Sequence, residues 1–103
     1  MRHVMVSYRV APERVAENEE LVRAVYRELE ESRPAGLRYA TFKLPDGVSF
    51  VHVAETSKEH NPLPELEAFR RFQAGIGERC EEPPLVSELS AIGSFGLFEV
   101  SRS

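Results

Sequence analysis

Residues 37–56 read LRYATFKLPDGVSFVHVAET, two strand-like runs joined by a turn that ends at Gly47. Glycine adopts positive φ without strain, so Gly47 suits a tight hairpin connection. An amphipathic helical segment and one further strand-like run lie on each side of this hairpin, with the outer strands at about His3 to Val10 and Leu85 to Ile92. The order strand, helix, strand, strand, helix, strand predicts an α+β fold of the split βαβ type with an antiparallel sheet.

The two segments between the strands have apolar residues at helical spacing. The first runs from about Pro12 to Ser32, and the second from about Glu65 to Arg79. Proline suits the first turn of a helix, and apolar residues that recur every three to four positions form a stripe that packs on a sheet. With 103 residues the chain has room for one domain, so we expect a single unit spanning residues 1–103.

Composition and charge exclude several classes of partner. The net charge is −4, and the 13 Lys and Arg residues are scattered among 17 acidic ones, so the sequence lacks the basic stripe of a nucleic-acid-binding protein. No apolar run approaches the length of a membrane span. Cys80 is the only cysteine, which indicates a reducing, cytoplasmic location. His3, His52 and His60 lack the spacing of a metal site, so we expect neither metal nor cofactor.

The hairpin decides which side chains share a face of the sheet. A three-residue loop would place Leu44 opposite Val48, with Arg38 and His52 on one face and Tyr39 and Glu55 on the other. Both faces then carry large apolar groups. Because the two crossover helices cover only one face, we expect the other face to pack against a second copy in a homodimer.

The C-terminal tail, residues 92–103, stays apolar as far as Val100. Its large apolar side chains are Phe95, Leu97 and Phe98. Apolar groups of this size seldom remain in water, so an extra strand on the partner subunit is one expected way of burying them.

Five polar residues are candidates for a ligand pocket, each with an ordinary structural alternative. Asn18 interrupts the apolar stripe of the first helix, either lining a pocket or forming an amide at the core margin bonded to water or backbone. His52, with Arg38 on its predicted face, is either a base or ligand-binding group in a pocket or a hydrogen-bonding group at the dimer seam, with Arg38 near the solvated edge of that seam. Tyr39 and Glu55 lie either beside a pocket or in a cross-strand hydrogen bond.

Several segments together carry a family resemblance. A first strand ending VAPE, a long helix closing RPAG, the run GLRYATF, the strand FVHVAE and the helix NPLPELEAFRRF resemble the dimeric α+β barrel superfamily of antibiotic biosynthesis monooxygenase-like proteins. The resemblance implies a ferredoxin-like protomer that dimerises through its sheet into a dimeric α/β barrel, sometimes with a pocket between helices and sheet. This chain departs from the family pattern in having no tryptophan, and Ser57 stands about where an aromatic residue is frequent. The resemblance therefore supplies no catalytic set and no haem ligand.

Three functions remain open at this point. The first is a homodimer that binds a small organic ligand without chemistry of its own. The second is a cofactor-independent monooxygenase-like enzyme for an aromatic or polyketide-like substrate, with His52, Tyr39 and Asn18 orienting it. The third is a non-catalytic structural or regulatory partner domain. A cavity reached by Asn18, Tyr39 or His52 favours the first two, whereas a filled core favours the third.

Overall fold

The computed structural model describes residues 1–96 and contains one four-stranded antiparallel sheet. Its strands are β1 (Arg2–Arg9), β2 (Leu37–Lys43), β3 (Ser49–Thr56) and β4 (Leu85–Leu89), arranged in the order β2-β3-β1-β4. The two central strands, β1 and β3, are adjacent although a helix and a strand separate them in sequence. This is the ferredoxin-like α+β arrangement, which confirms the predicted fold class.

The helices follow the predicted positions with two local differences. A 3₁₀ turn (Pro12–Arg14) leads into α1 (Val15–Ser32), and a second 3₁₀ turn (Leu63–Glu65) precedes α2 (Glu67–Ala74). The predicted second helix is interrupted at Gly75, after which a single turn, α3 (Ile76–Arg79), completes it. A Cβ at Gly75 would lie 3.0 Å from a terminal guanidinium nitrogen of Arg79, so glycine leaves room for that side chain.

Both helices pack on one face of the sheet, which we call the covered face. Most of the core lies between this face and α1 and α2. The buried apolar residues are Tyr8, Val10, Val25, Phe50, Leu63, Leu66, Ala68, Phe69 and Phe72. The alternation of β1 explains its contribution, because every second residue from Val4 to Tyr8 points towards the helices.

The predicted hairpin register is wrong by one residue. Leu44 N–H donates to the Ser49 carbonyl at 2.9 Å, which makes a four-residue connection rather than a three-residue one. The Asp46 carboxylate accepts hydrogen bonds from Val48 N–H at 3.0 Å and Ser49 N–H at 2.9 Å, and Gly47 has φ +80°. The Asp46 side chain therefore stabilises the longer loop. The alternation of apolar and polar residues does not reveal that the loop has four residues rather than three.

This shift exchanges the faces of the hairpin residues. Arg38 pairs with Glu55 and Tyr39 pairs with Ala54. Because side chains alternate along a strand, Arg38 and Glu55 lie on the face away from the helices, while Tyr39 joins His52 on the covered face. The expectations that Arg38 shares a face with His52, and that Tyr39 shares one with Glu55, are both wrong for this reason.

The other face of the sheet, which we call the open face, carries apolar side chains that no described helix covers. Its strand register places on it Met5, Ala40, Phe42, Val51, Val53, Leu85 and Leu89. Phe42 is 50% exposed and Leu85 is 64% exposed. Polar groups cross this face in one row, where the Glu55 carboxylate lies 2.8 Å from His3 Nε2 and 3.7 Å from Arg38 Nε.

The C-terminal end differs from the sequence prediction. The last strand ends at Leu89 rather than near Ile92, and both Ile92 and Phe95 are fully exposed. The expected strand on the partner falls largely on residues 97–103, outside the part of the chain that the structure describes. Within the described part, no helix is both long and apolar enough to cross a membrane.

Candidate functional site

A cavity of about 470 Å³ lies between the covered face and the segment from the second 3₁₀ turn to α3. This volume is in the range of small-molecule sites. Most of its wall is aliphatic or aromatic, with contributions from Val6, Ala54, Leu63, Phe69 and Ile76. The polar lining groups are Tyr8, Tyr39, His52, Thr56, Asn61 and Gln73, together with Arg2. A largely apolar wall with a few placed polar groups is typical of a site for a small organic molecule.

His52 lies at the floor of this cavity with both ring nitrogens occupied. Its Nε2 is 2.7 Å from the Tyr8 hydroxyl, and its Nδ1 is 2.7 Å from the Tyr39 hydroxyl and 3.2 Å from Thr41 Oγ1. The residue is only 5% exposed. Burial lowers the pKa of His52 to about 4, because a low-dielectric surrounding disfavours the imidazolium. The imidazole is therefore neutral at pH 7.

Two further side chains extend the hydrogen bonding from Tyr8 away from the cavity. Asn18 Nδ2 donates to the Tyr8 hydroxyl at 3.1 Å, and Arg79 Nε donates to Asn18 Oδ1 at 3.0 Å. Arg79 also donates to the Phe72 carbonyl at 2.9 Å, and its guanidinium lies 5.1 Å from the centre of the Phe72 ring. We call Tyr8, Asn18, Tyr39, His52 and Arg79 the buried polar network.

The network is fully satisfied and almost closed to water. Asn18 is 0% exposed and Arg79 is 1% exposed. Burial raises the pKa of Tyr8 and of Tyr39 above the ordinary phenol value, and it lowers the pKa of the Arg79 guanidinium. Among residues 1–96, no buried side-chain nitrogen or oxygen lacks a partner. Such a network holds its members in one arrangement, because any rearrangement would leave a buried polar group unpaired.

The structure separates the five predicted site residues into two groups. Tyr39 and His52 line the cavity, and Asn18 lies behind them, bonded to side chains rather than to water or backbone. Arg38 and Glu55 lie on the opposite face of the sheet, away from the cavity. These two residues are therefore not part of this site.

Sequence reasoning missed Tyr8 and Arg79. Tyr8 shares the inward face of β1 with two valines, which indicates burial but gives no hint of a polar partner. Arg79 sits near the end of a helical pattern, where a solvated cation is the ordinary expectation. The available signal was Asn18, since a polar residue in an apolar stripe needs a donor or acceptor from elsewhere in the fold.

Within residues 1–96, no group of three or more His, Cys, Asp or Glu side chains is arranged to hold a metal ion. The polar groups of the cavity are neutral nitrogen and oxygen groups, apart from Arg2 at its edge. They are suited to hydrogen bonding with an organic molecule.

No family model matches this sequence, and no curated protein matches it either. Solved structures do match. A structure named as an antibiotic biosynthesis monooxygenase is 21% identical, with a TM-score of 0.73 over 90% of this chain and 100% of that one. The chain has the fold of an antibiotic biosynthesis monooxygenase.

Two further structures with this fold have no activity in their names. A Mycobacterium tuberculosis protein is 17% identical, with a TM-score of 0.71 over 90% of this chain and 96% of its own. A Nitrosomonas europaea protein of unknown function is 12% identical, with a TM-score of 0.70 over 91% of both chains. The resemblance inferred from sequence is thus confirmed for the fold. Identities this low carry no assignment of activity.

Proposed function

We propose that this protein is a cytoplasmic homodimer that binds a small, mainly apolar organic molecule in the cavity of each subunit. The cavity of about 470 Å³ is the observation that carries the proposal. A domain that acted only as a structural or regulatory partner would gain stability from filling this space, because unfilled volume in a core costs free energy. The tyrosine hydroxyls and the imidazole at its floor provide directional hydrogen bonding for one end of the ligand.

The dimer is proposed to form through the open face. Supporting this, the face has exposed apolar side chains of the size of Phe42 and Leu85, and both helices of the subunit are already used on the covered face. Apolar surface of this kind on a small domain usually marks an interface. Pairing two identical faces about a two-fold axis covers both at once.

Native mass spectrometry of the purified protein tests the dimer, and a binding measurement with an added ligand tests the cavity. We expect a mass of two subunits, with or without a retained organic molecule. Binding is then measured with chromone, a bicyclic ketone small enough for the cavity, by following ligand-induced NMR shifts of cavity residues. A monomeric mass would contradict the dimer, and saturating chromone without shifts at the cavity would contradict the site.

A matched pair of substitutions locates the ligand. Ala54 lines the cavity between the covered face and α2, whereas Ala74 is exposed at the end of α2 and outside the cavity. Ala54→Leu fills part of the cavity and should weaken chromone binding about tenfold or more, since a bound ligand would clash with the added methyls. Ala74→Leu introduces the same side chain and should leave binding unchanged. Equal effects of the two substitutions would place the ligand elsewhere.

A second candidate is a cofactor-independent monooxygenase, because an imidazole and two phenols line a mainly apolar cavity and a structural neighbour bears that name. In such a reaction, a base removes a proton from an acidic ring CH₂ of the substrate, and the carbanion then reduces O₂. The CH₂ becomes a carbonyl and the second oxygen atom leaves as water. Among the described residues that line the cavity, His52 alone has an imidazole.

Binding is better supported than oxygenation by the state of His52. Both of its ring nitrogens already bond to tyrosine hydroxyls, and burial lowers the pKa of His52 to about 4, which makes it a weak base. An oxygen electrode with anthrone as substrate distinguishes the two functions. We expect no oxygen uptake above that of anthrone alone. Uptake that is lost in His52→Phe would favour the enzyme.

A further inference from the structure

The hydrogen bonds of the buried polar network run in one direction, and Arg79 sets that direction. An arginine nitrogen can only donate, so the group that faces Arg79 Nε at 3.0 Å is the oxygen of the Asn18 amide. The Asn18 nitrogen therefore faces Tyr8 and donates to its hydroxyl oxygen at 3.1 Å. The reversed amide would set two donors against each other in a site closed to water.

This direction continues through Tyr8 to the imidazole. The Tyr8 oxygen accepts from Asn18, and the nearest acceptor for its own hydrogen is His52 Nε2 at 2.7 Å. A neutral imidazole has one hydrogen, and with Nε2 accepting, that hydrogen is on Nδ1. Nδ1 then donates to the Tyr39 hydroxyl at 2.7 Å, with Thr41 Oγ1 further away at 3.2 Å.

Tyr39 is the last member of the network, and it lines the cavity as Tyr8 and His52 do. Its oxygen accepts from the imidazole, so its own hydrogen is not used in the bond to His52. Thr41 is the other acceptor within reach of this hydroxyl, and Thr41 already bonds to Tyr26 at 2.8 Å. An oxygen on a bound molecule would compete with Thr41 for the Tyr39 hydrogen.

We propose that Asn18 and Arg79 are positioning residues that fix His52 as its Nδ1–H tautomer and thereby make Tyr39 a hydrogen-bond donor to the ligand. The ligand class that follows is a mainly apolar molecule with an acceptor oxygen, such as a ketone, at the end near Tyr39. The ligand class rests on the proposed binding function. The tautomer does not, because it is a property of the empty protein.

Asn18→Asp tests the direction of the network. Aspartate has nearly the same shape and still accepts from Arg79, but it has no hydrogen to donate to Tyr8. Tyr8 then donates to the aspartate, Nε2 of His52 donates to Tyr8, and Nδ1 accepts from Tyr39. ¹⁵N chemical shifts of the His52 ring report which nitrogen is protonated, and a purely structural role of Asn18 would not move the hydrogen.

We expect Nδ1–H in the wild-type protein and Nε2–H in Asn18→Asp. Tyr26→Phe is the control, because it removes a hydroxyl beyond Thr41 at the other end of the hydrogen bonds and should keep Nδ1–H. If Asn18→Asp does not fold, Tyr8→Phe cuts the network between Asn18 and His52 with little change of shape, and the Nδ1–H preference should be lost. The same tautomer in all variants, or Nε2–H in the wild type, would overturn the proposal.

The ligand class is tested with chromone, which only accepts hydrogen bonds, and indole, which offers an N–H donor. We expect the wild-type protein to prefer chromone, and the ratio of the two affinities to fall about tenfold in Asn18→Asp, roughly the effect of one hydrogen bond gained or lost. An unchanged ratio would reject the acceptor preference alone. Absence of binding by both probes would reject the acceptor preference and the binding function together, whatever the tautomer.

Discussion

The two faces of the sheet each carry a histidine on a central strand, but the surroundings of these histidines differ. On the covered face, His52 is 5% exposed, neutral, and bonded to two tyrosine hydroxyls. On the open face, the His3 side chain is 19% exposed and lies 2.8 Å from the Glu55 carboxylate. The covered face holds its polar groups in a closed set of side-chain hydrogen bonds, while the open face places the Glu55 carboxylate between His3 and Arg38.

The surroundings of the two histidines differ because the two faces of the sheet are covered differently. Two helices and their loops close the covered face, so every polar group there needs a partner from within the subunit. The open face has no such cover among residues 1–96, and its apolar groups remain in contact with solvent in the isolated subunit. The contrast supports the proposal that the covered face binds the ligand and the open face binds a second subunit.

The largest expected effect comes from two adjacent residues with the same exposure on opposite faces. Leu85 and Val86 are each 64% exposed, and the register of β4 places Leu85 on the open face and Val86 beside the cavity. Leu85→Glu should weaken the dimer about a hundredfold or more, because each subunit would bury an unpaired carboxylate. Val86→Glu should leave the dimer intact and weaken chromone binding. Sedimentation velocity over a range of concentrations measures the first effect.

Either of two results would break this comparison. If both substitutions dissociate the dimer equally, the interface does not distinguish the faces. If neither does, the open face is not the interface. The adjacent positions control for the general effect of a new charge on β4, since the strand, the exposure and the introduced residue are all matched.

The next largest effect is a pH dependence of the free energy of unfolding, which should arise from His52 on the covered face. The pKa of His52 is about 4 in the folded protein, against about 6.5 for an unfolded histidine. Between these values, the unfolded state binds a proton that the folded state excludes. The free energy of unfolding should therefore fall by about 3 kcal/mol as the pH falls from 6.5 towards 4, and be fully retained above 6.5.

Urea unfolding at a fixed protein concentration measures this dependence. Carboxylates also titrate in this range, so the informative quantity is the difference between variants. His52→Gln should have a flatter pH dependence than the wild type. Equal slopes for the two proteins would mean that His52 is protonated as readily in the folded state as in the unfolded one.

The sequence predicted the order and type of the elements because each has a strong period of its own. Alternation identified β1 and β3, and the helical stripe identified α1. The hairpin register depended instead on one side chain, Asp46, whose bonds to Val48 and Ser49 lengthen the loop by one residue. A one-residue change reverses every side chain of β2 relative to β3, so a small local error moved Arg38 and Tyr39 to the wrong faces.

The site was predictable only in part for a related reason. Asn18 and His52 were recognisable, because each is a polar residue where an apolar one is expected. They are connected through Tyr8, and the Asn18 amide is held from its other side by Arg79, whose guanidinium packs against Gly75 where the helix is interrupted. A pairing across 61 residues that relies on a local break in a helix has no counterpart in the periodicity of the sequence.

The smallest expected effect is on stability, and it comes from the capping of α2, one of the helices that pack on the covered face. Leu66, at the N-cap position of α2, offers no side-chain hydrogen bond, and the free N–H groups of this helix are capped from α1 instead. The Glu28 carboxylate accepts from Ala68 N–H at 2.9 Å and from Glu67 N–H at 3.3 Å. A carboxylate at this position also interacts favourably with the partial positive charge of the helix N-terminus.

Glu28→Ala should therefore lower the free energy of unfolding by about 1 kcal/mol, the usual cost of losing an N-cap. Glu28→Gln keeps an acceptor and loses the charge, so its cost should be smaller than that of alanine. Glu31→Ala, on the same helix but exposed, is the control and should cost less than either. None of the three should change the dimer mass, because Glu28 acts on the covered face. Dissociation of the dimer in Glu28→Ala would show that the two faces are coupled through α1 rather than independent.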